Sequence, residues 1–248
     1  MLQVLHPIPA ESIRLIVFDL DGTLIDSRRD LATAVNAMLA QMERPALPEE
    51  VIAEYVGDGA GMLVRRALGD PEDEGLVEDA LRRFLESYRA HMLDHTYVYP
   101  GVFAALDALR LIHPNTQRPR AGDPGSPDGT PRKFAVLTNK PVRPSRIICD
   151  ALELSKYFFQ IYGGNSFGTK KPDAEGLKTL IREAGVAPGE TLMIGDSVVD
   201  ILTARNAGTF VIGCKFGLSS HTVETIPSDC LVDAPSEWAV ALGATVQQ

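Results

Sequence analysis

Phe18 to Ser27 reads FDLDGTLIDS and follows directly on the apolar run Leu15 to Phe18. Continuous hydrophobicity over so few residues marks a strand covered on both faces, the habit of parallel sheets. Asp19 and Asp21 then stand at the carboxyl end of that strand, where ligands bind in open α/β sheets. Gly22 allows the chain to turn sharply beside them. Aspartate and glycine after a strand also serve turn geometry alone, but the full string behind an apolar strand favours chemistry.

Similar runs occur at Phe134 to Leu137, Leu192 to Ile194 and Phe210 to Ile212. Helical patterns lie between them at Val102 to Leu111, Ser145 to Leu152, Ala174 to Ala184 and Asp200 to Ala207. This alternation predicts a doubly wound α/β core with right-handed crossovers. From Ser27 to Thr96 the pattern changes. Ala32, Val35, Leu39 and Met42 recur at helical spacing, as do Leu76, Val77, Ala80, Leu81, Phe84, Leu85 and Tyr88. We therefore expect a helical insertion at 27–96 in a core made of 1–26 and 97–248. His113 to Arg132 holds five prolines and three glycines and almost nothing apolar, which predicts a flexible insert at 113–132.

Composition narrows the function. A hydrophobic fraction of 45% with 23% charged residues is ordinary for a globular protein. The formal charge of −9 argues against nucleic acid as a partner, since backbone binding needs a basic face. No apolar run approaches the ~20 residues of a membrane helix. Cys149, Cys214 and Cys230 are scattered without metal-ligand spacing, which suits free thiols in a reducing compartment. With no secretory signal pattern at the N-terminus, the expected location is the cytoplasm, as a monomer or homodimer.

Three further segments carry candidate chemistry. MIGDSVVD, Met193 to Asp200, repeats the strand–glycine–carboxylate device. Asp196 is either a helix N-cap or, with Asp19 and Asp21, part of a hard oxygen site suited to magnesium. Asp200 is placed behind it, orienting a metal water or a neighbouring cation. LTNK, Leu137 to Lys140, ends a strand with Thr138 and Asn139, either turn formers or donors to phosphoryl oxygens. Lys171 precedes a proline and so lies in an extended or turn segment, with Lys170 beside it read as a surface residue.

FDLDGT, a strand ending in LTN, a lysine before proline and GDSxxD, in that order, resemble the haloacid dehalogenase superfamily of phosphotransferases. The resemblance spans nearly the whole chain and implies a Rossmann-like core with a mobile helical cap. It implies that Asp19 is the nucleophile of a phospho-aspartate intermediate and Asp21 the acid and base for the leaving group. It also implies that Lys171, Thr138 and Asn139 bind phosphate, and that Asp19, Asp196 and the Asp21 backbone carbonyl hold Mg2+. VGDGAGMLVRRAL (Val56 to Leu68), YPGV (Tyr99 to Val102) and LTNKP look like the phosphoglycolate phosphatase branch. That likeness implies 2-phosphoglycolate as substrate, with Gly57, Asp58 and Gly59 forming a specificity loop and Arg65 or Arg66 meeting its carboxylate.

Alternatives in the same superfamily are a sugar-phosphate phosphatase, a pyrophosphatase or a phosphomutase; outside it, a metal-binding scaffold without catalysis. A dehalogenase has no use for Asp21, and a Schiff-base hydrolase needs a cap lysine, which 27–96 lacks. The expected partner is a small phosphorylated metabolite.

Overall fold

The computed structural model describes residues 2–111 and 132–243. Apart from Arg132, the insert expected at 113–132 lies outside the described residues. In chain order the strands and helices begin with β1 (Gln3–Val4), β2 (Leu15–Phe18) and β3 (Ile25–Asp26). Four helices follow, α1 (Arg28–Gln41), α2 (Glu49–Glu54), α3 (Ala60–Ala67) and α4 (Glu74–His91). Next come β4 (Tyr97–Val98), α5 (Val102–Leu111), β5 (Lys133–Leu137), α6 (Val142–Ala151) and β6 (Gln160–Tyr162). The chain continues through α7 (Glu175–Ala184), β7 (Thr191–Gly195), α8 (Val198–Ala207), β8 (Phe210–Cys214), β9 (Cys230–Val232) and α9 (Glu237–Ala241).

Seven strands form one α/β sheet in the order β1-β9-β8-β7-β2-β5-β6. Every pair is parallel except β1 against β9. The central strands β2 and β7 are buried along their whole length because both faces are covered, whereas edge strand β1 is exposed. Ile16 and Phe18 join Phe134, Val136, Leu192 and Ile194 in one core cluster, with Trp238 of α9. Leu15 and Val17 point the other way, into a second cluster with Leu177 and Leu180 of α7 and Ile201 and Ala204 of α8. This is a Rossmann-like, doubly wound arrangement. Strand β2 lies between β5 and β7, with Phe18 level with Val136 and Ile194. The carboxyl ends of these three strands therefore meet at one place, and the chain leaves it in opposite directions.

Two helices start earlier than their apolar spacing suggests. α6 begins at Val142, with Pro141 at its N-cap and Pro144 in its first turn, where a missing N–H costs no helical bond. α8 begins at Val198 because Ser197 caps it, its hydroxyl accepting from the Asp200 N–H.

β3 and β4 pair antiparallel, Ile25 with Val98 and Asp26 with Tyr97. The four helices between them pack on one another, α1 against α2 and α4, and α3 against α4. α4 buries Val77, Ala80, Phe84 and Tyr88, and the rings of Phe84 and Tyr88 stack at 5.6 Å. Buried Asp30 on α1 secures the return to β4. Its carboxylate accepts from the backbone N–H groups of His95 and Thr96 and from the Thr96 hydroxyl. No helix among the described residues is long and apolar enough to cross a membrane.

Candidate active site

The end of β2 delivers Asp19, whose N–H donates to the Ile194 carbonyl at 2.9 Å. The end of β7 delivers Asp196, and the first turn of α8 delivers Asp200. Carboxylate oxygens of these three lie within 4.8 Å of one another, all buried. Lys171, also buried, sits in a turn beyond β6, its Nζ 2.8 Å from Asp19 Oδ1 and 2.6 Å from Asp200 Oδ1. The position of Gly22 depends on having no side chain. Its φ is +85°, and a Cβ there would stand 2.1 Å from Asp196 Oδ2.

One lysine among three buried carboxylates leaves the cluster short of positive charge. Burial pushes the Asp19 carboxyl up to about 6, against the pull of Lys171 and with the help of Asp200. Burial, then the charges of Asp19 and Asp200, raise Asp196 well above the usual carboxylate range. Burial disfavours the Lys171 charge, but Asp19 and Asp200 outweigh it and hold its pKa above that of a free lysine. Such a cluster fits a hard divalent cation. The acids differ in what they have to offer it. Asp200 is engaged at both oxygens, by Lys171 at one and by the Ser197 N–H and hydroxyl at the other. Among the described residues Asp196 accepts only the Ser219 N–H, at 2.9 Å. Ser197, not Asp196, caps α8, so the Asp196 carboxylate is not consumed as a helix cap.

Asp21 lies in a different setting. Lys140 Nζ donates to both its oxygens, at 3.0 and 3.1 Å, and the Ser27 hydroxyl donates at 2.5 Å. The Thr138 hydroxyl oxygen accepts the Lys140 N–H at 3.2 Å, which leaves its own O–H free to donate. Asn139 behaves otherwise than expected. Its Nδ2 donates to the Gly57 and Lys171 carbonyls, at 2.9 and 3.0 Å. Two carbonyl partners fix the orientation of the amide and occupy its donors, so in this arrangement the side chain offers none to a phosphoryl oxygen.

The loop before α3 is held to the sheet end by three successive carbonyls. Val56 accepts from Ser219 Oγ at 2.7 Å, Gly57 from Asn139, and Asp58 from Lys170 Nζ at 2.6 Å. Gly57 and Gly59 have φ of +125° and +87°, which a side chain would strain. Lys170, read from sequence as a surface residue, thus holds this loop although it is exposed. Between loop, helices and sheet runs a cleft of about 610 Å³, open solvent at its mouth included. Asp19, Asp21, Thr138, Lys140 and Asp196 line its floor; Val56, Leu63, Phe84 and Tyr88 line its roof.

Arg65 and Arg66 are not among the lining residues, contrary to the expected carboxylate contact. α3 turns Leu63 and Val64 inward, and the arginines are committed elsewhere. Arg65 pairs with Glu74 at 2.5 Å and donates to the Pro71 carbonyl. Arg66 pairs with Asp58 at 2.5 Å and donates to the Tyr55 carbonyl. Sequence reading also passed over Lys140, Ser27, Ser219 and Tyr88. Lys140 was legible within LTNK. Ser219 and Tyr88 lie far along the chain, with no local pattern to mark them.

The haloacid dehalogenase-like hydrolase model matches residues 13–208, which include Asp19, Asp21, Thr138, Lys171, Asp196 and Asp200. The chain belongs to that family. Relatives in it include phosphoglycolate phosphatases from Pseudomonas fluorescens and Chromobacterium violaceum. The first is 38% identical over 84% of this chain and 72% of its own length, the second 37% over 91% and 94%. A solved structure from Haemophilus somnus, described as a predicted phosphoglycolate phosphatase, superposes with a TM-score of 0.79 at 27% identity. That match covers 92% of this chain and 96% of the other. Haloacid dehalogenase-like hydrolases share the α/β architecture seen here.

Proposed function

We propose that this haloacid dehalogenase-like hydrolase is a magnesium-dependent phosphatase that cleaves 2-phosphoglycolate to glycolate and phosphate through a phosphorylated Asp19. The chain is a phosphoric monoester hydrolase. The observation that carries the reading is the meeting of Asp19, Thr138, Lys171 and Asp196 around the ends of β2, β5 and β7, with Asp19, Thr138 and Asp196 on the floor of the cleft. Its partner is then a small phosphorylated metabolite. The free, buried cysteines support a reducing compartment, the cytoplasm.

Asp19 and Asp196, with the Asp21 backbone carbonyl, would hold magnesium, which when bound supplies positive charge beside the phosphoryl group. Lys171 adds a second positive charge, fixed in place by Asp200, and the Thr138 O–H orients a phosphoryl oxygen. The Asp19 carboxylate attacks phosphorus, and the bond to the leaving oxygen breaks. Asp21 donates a proton to that oxygen, and then accepts one from the water that hydrolyses the acyl phosphate. Residues 27–96 act as a cap over the core formed by 1–26 and 97–248. The loop of Gly57, Asp58 and Gly59 closes onto Ser219, Asn139 and Lys170, which limits water at the reacting atoms.

The apolar roof favours a compact leaving group over a sugar, whose hydroxyls would be buried against Val56, Leu63 and Phe84 without partners. Phosphate release with magnesium across phosphoglycolate, several sugar phosphates, pyrophosphate and an aryl phosphate tests the reading. Preference for phosphoglycolate is expected; preference for a sugar phosphate or pyrophosphate would overturn the substrate while leaving Asp19 chemistry in place.

A further inference from the structure

Resting on that reading, we infer that Lys140 and Tyr88 together receive the carboxylate of the leaving group and so set the enzyme's choice of substrate. Among the described residues the cleft lining contains one cationic side chain, Lys140, and it lies against Asp21. Lys171, the other buried lysine, is held on the far side of Asp19 by Asp200. Lys140 Nζ also lies 4.6 Å from the centre of the Tyr88 ring. The aromatic face holds the ammonium in place, beside the Asp21 carboxylate that pairs with its charge.

Tyr88 adds a donor. The residue is 3% exposed, lines the cleft, and among the described residues its hydroxyl has no well-aligned hydrogen-bond partner, only the charge of Lys140 close by. A buried hydroxyl left unpaired is costly, and a ligand carboxylate would satisfy it. Burial pushes the phenol up to about 12, so it stays an O–H donor at neutral pH. Elsewhere the roof is apolar. Arg65 and Arg66 point away to Glu74 and Asp58. A carboxylate entering this cleft thus meets one positive charge, Lys140, with the Tyr88 hydroxyl beside it, set against the carboxylates of Asp19, Asp21 and Asp196.

The placement also limits length. Asp21 serves the leaving oxygen, and Lys140 touches Asp21 at 3.0 Å. A group bound to Lys140 therefore sits close to the leaving oxygen, which selects a carboxylate attached directly to the carbon that bears the phosphate. Beyond it stands the stacked pair of Phe84 and Tyr88.

The test compares phosphoglycolate with ethyl phosphate, which replaces the carboxylate by a methyl group and keeps an alkoxide leaving group. Any general loss of acid catalysis affects both, so the ratio of their kcat/KM values reports carboxylate recognition. The wild type should prefer phosphoglycolate. K140M should lower that ratio about tenfold to a hundredfold, mainly through the KM for phosphoglycolate, in keeping with loss of a charged hydrogen bond. Y88F, which removes one oxygen and keeps the stacked ring, should lower it about tenfold. A wild-type preference that survives in both variants would overturn this inference and leave the phosphoglycolate reading standing. A wild type that turns over ethyl phosphate as well as phosphoglycolate would overturn both.

Discussion

Replacing Lys171 by methionine tests the electrostatics of the site directly. Its ammonium lies 2.8 Å from Asp19 and 2.6 Å from Asp200, with the three side chains 2%, 9% and 0% exposed. Methionine keeps much of the volume and removes the charge, so carboxylates that faced a cation then face each other. Breaking a buried pair by deleting one partner costs about 3–5 kcal/mol. For a chain of this size that lowers the melting temperature by roughly 10 °C. The pH dependence has a definite sign. The Asp19 carboxyl already rises to about 6 with Lys171 present, and it rises further without it. A carboxyl whose folded pKa exceeds its unfolded value stabilises the fold below the unfolded value, and that contribution is lost as pH rises through the folded one. The deficit of K171M should therefore be large near about pH 7.5 and shrink towards about pH 5, as the acids take up protons. Urea unfolding of both proteins in chelator, at the two pH values, measures it. Equal midpoints, or a deficit that grows as pH falls, would refute the reasoning. Turnover should drop by about 10²- to 10³-fold, as for the loss of a preorganised charge.

Magnesium affinity should weaken as pH falls through about 6, because Asp19, raised to about 6, must lose its proton to bind; calorimetry showing equal affinity above and below that value would contradict this. G22A should abolish turnover and magnesium binding, since its Cβ would stand 2.1 Å from Asp196 Oδ2; a variant that binds magnesium normally would show that the turn relaxes easily. R65A should change the KM for phosphoglycolate less than about twofold, since Arg65 is committed to Glu74 and the Pro71 carbonyl rather than to the cleft. A tenfold rise in KM would return Arg65 to the substrate site.

The half of the site proposed to be catalytic was legible as a cluster because it is local. Asp19 and Asp21 sit in one string after an apolar strand, and strand ends in a parallel sheet converge whatever the loops do. Asp200 fell where its spacing from Asp196 put it, one turn into a helix, bonded to a cation. The recognition half was not legible, because it depends on which face of each cap helix turns inward. Arg65 and Arg66 looked available in sequence, yet α3 buries Leu63 and Val64 and leaves them to Glu74 and Asp58. Asn139 looked like a phosphate donor until its amide met the Gly57 carbonyl, a contact spanning two distant segments. Lys140 stood in view within LTNK, but its value follows from Asp21 and Tyr88 lying on either side of it.

The most direct test of the account is to trap the covalent enzyme. Wild-type protein mixed with magnesium and phosphoglycolate, quenched in acid during turnover and mapped by peptide mass spectrometry, should carry a phosphoryl group on Asp19. D19N, otherwise folded, should carry none and release no phosphate. No adduct during turnover, an adduct on another residue, or D19N turning over at the wild-type rate would contradict the central claim.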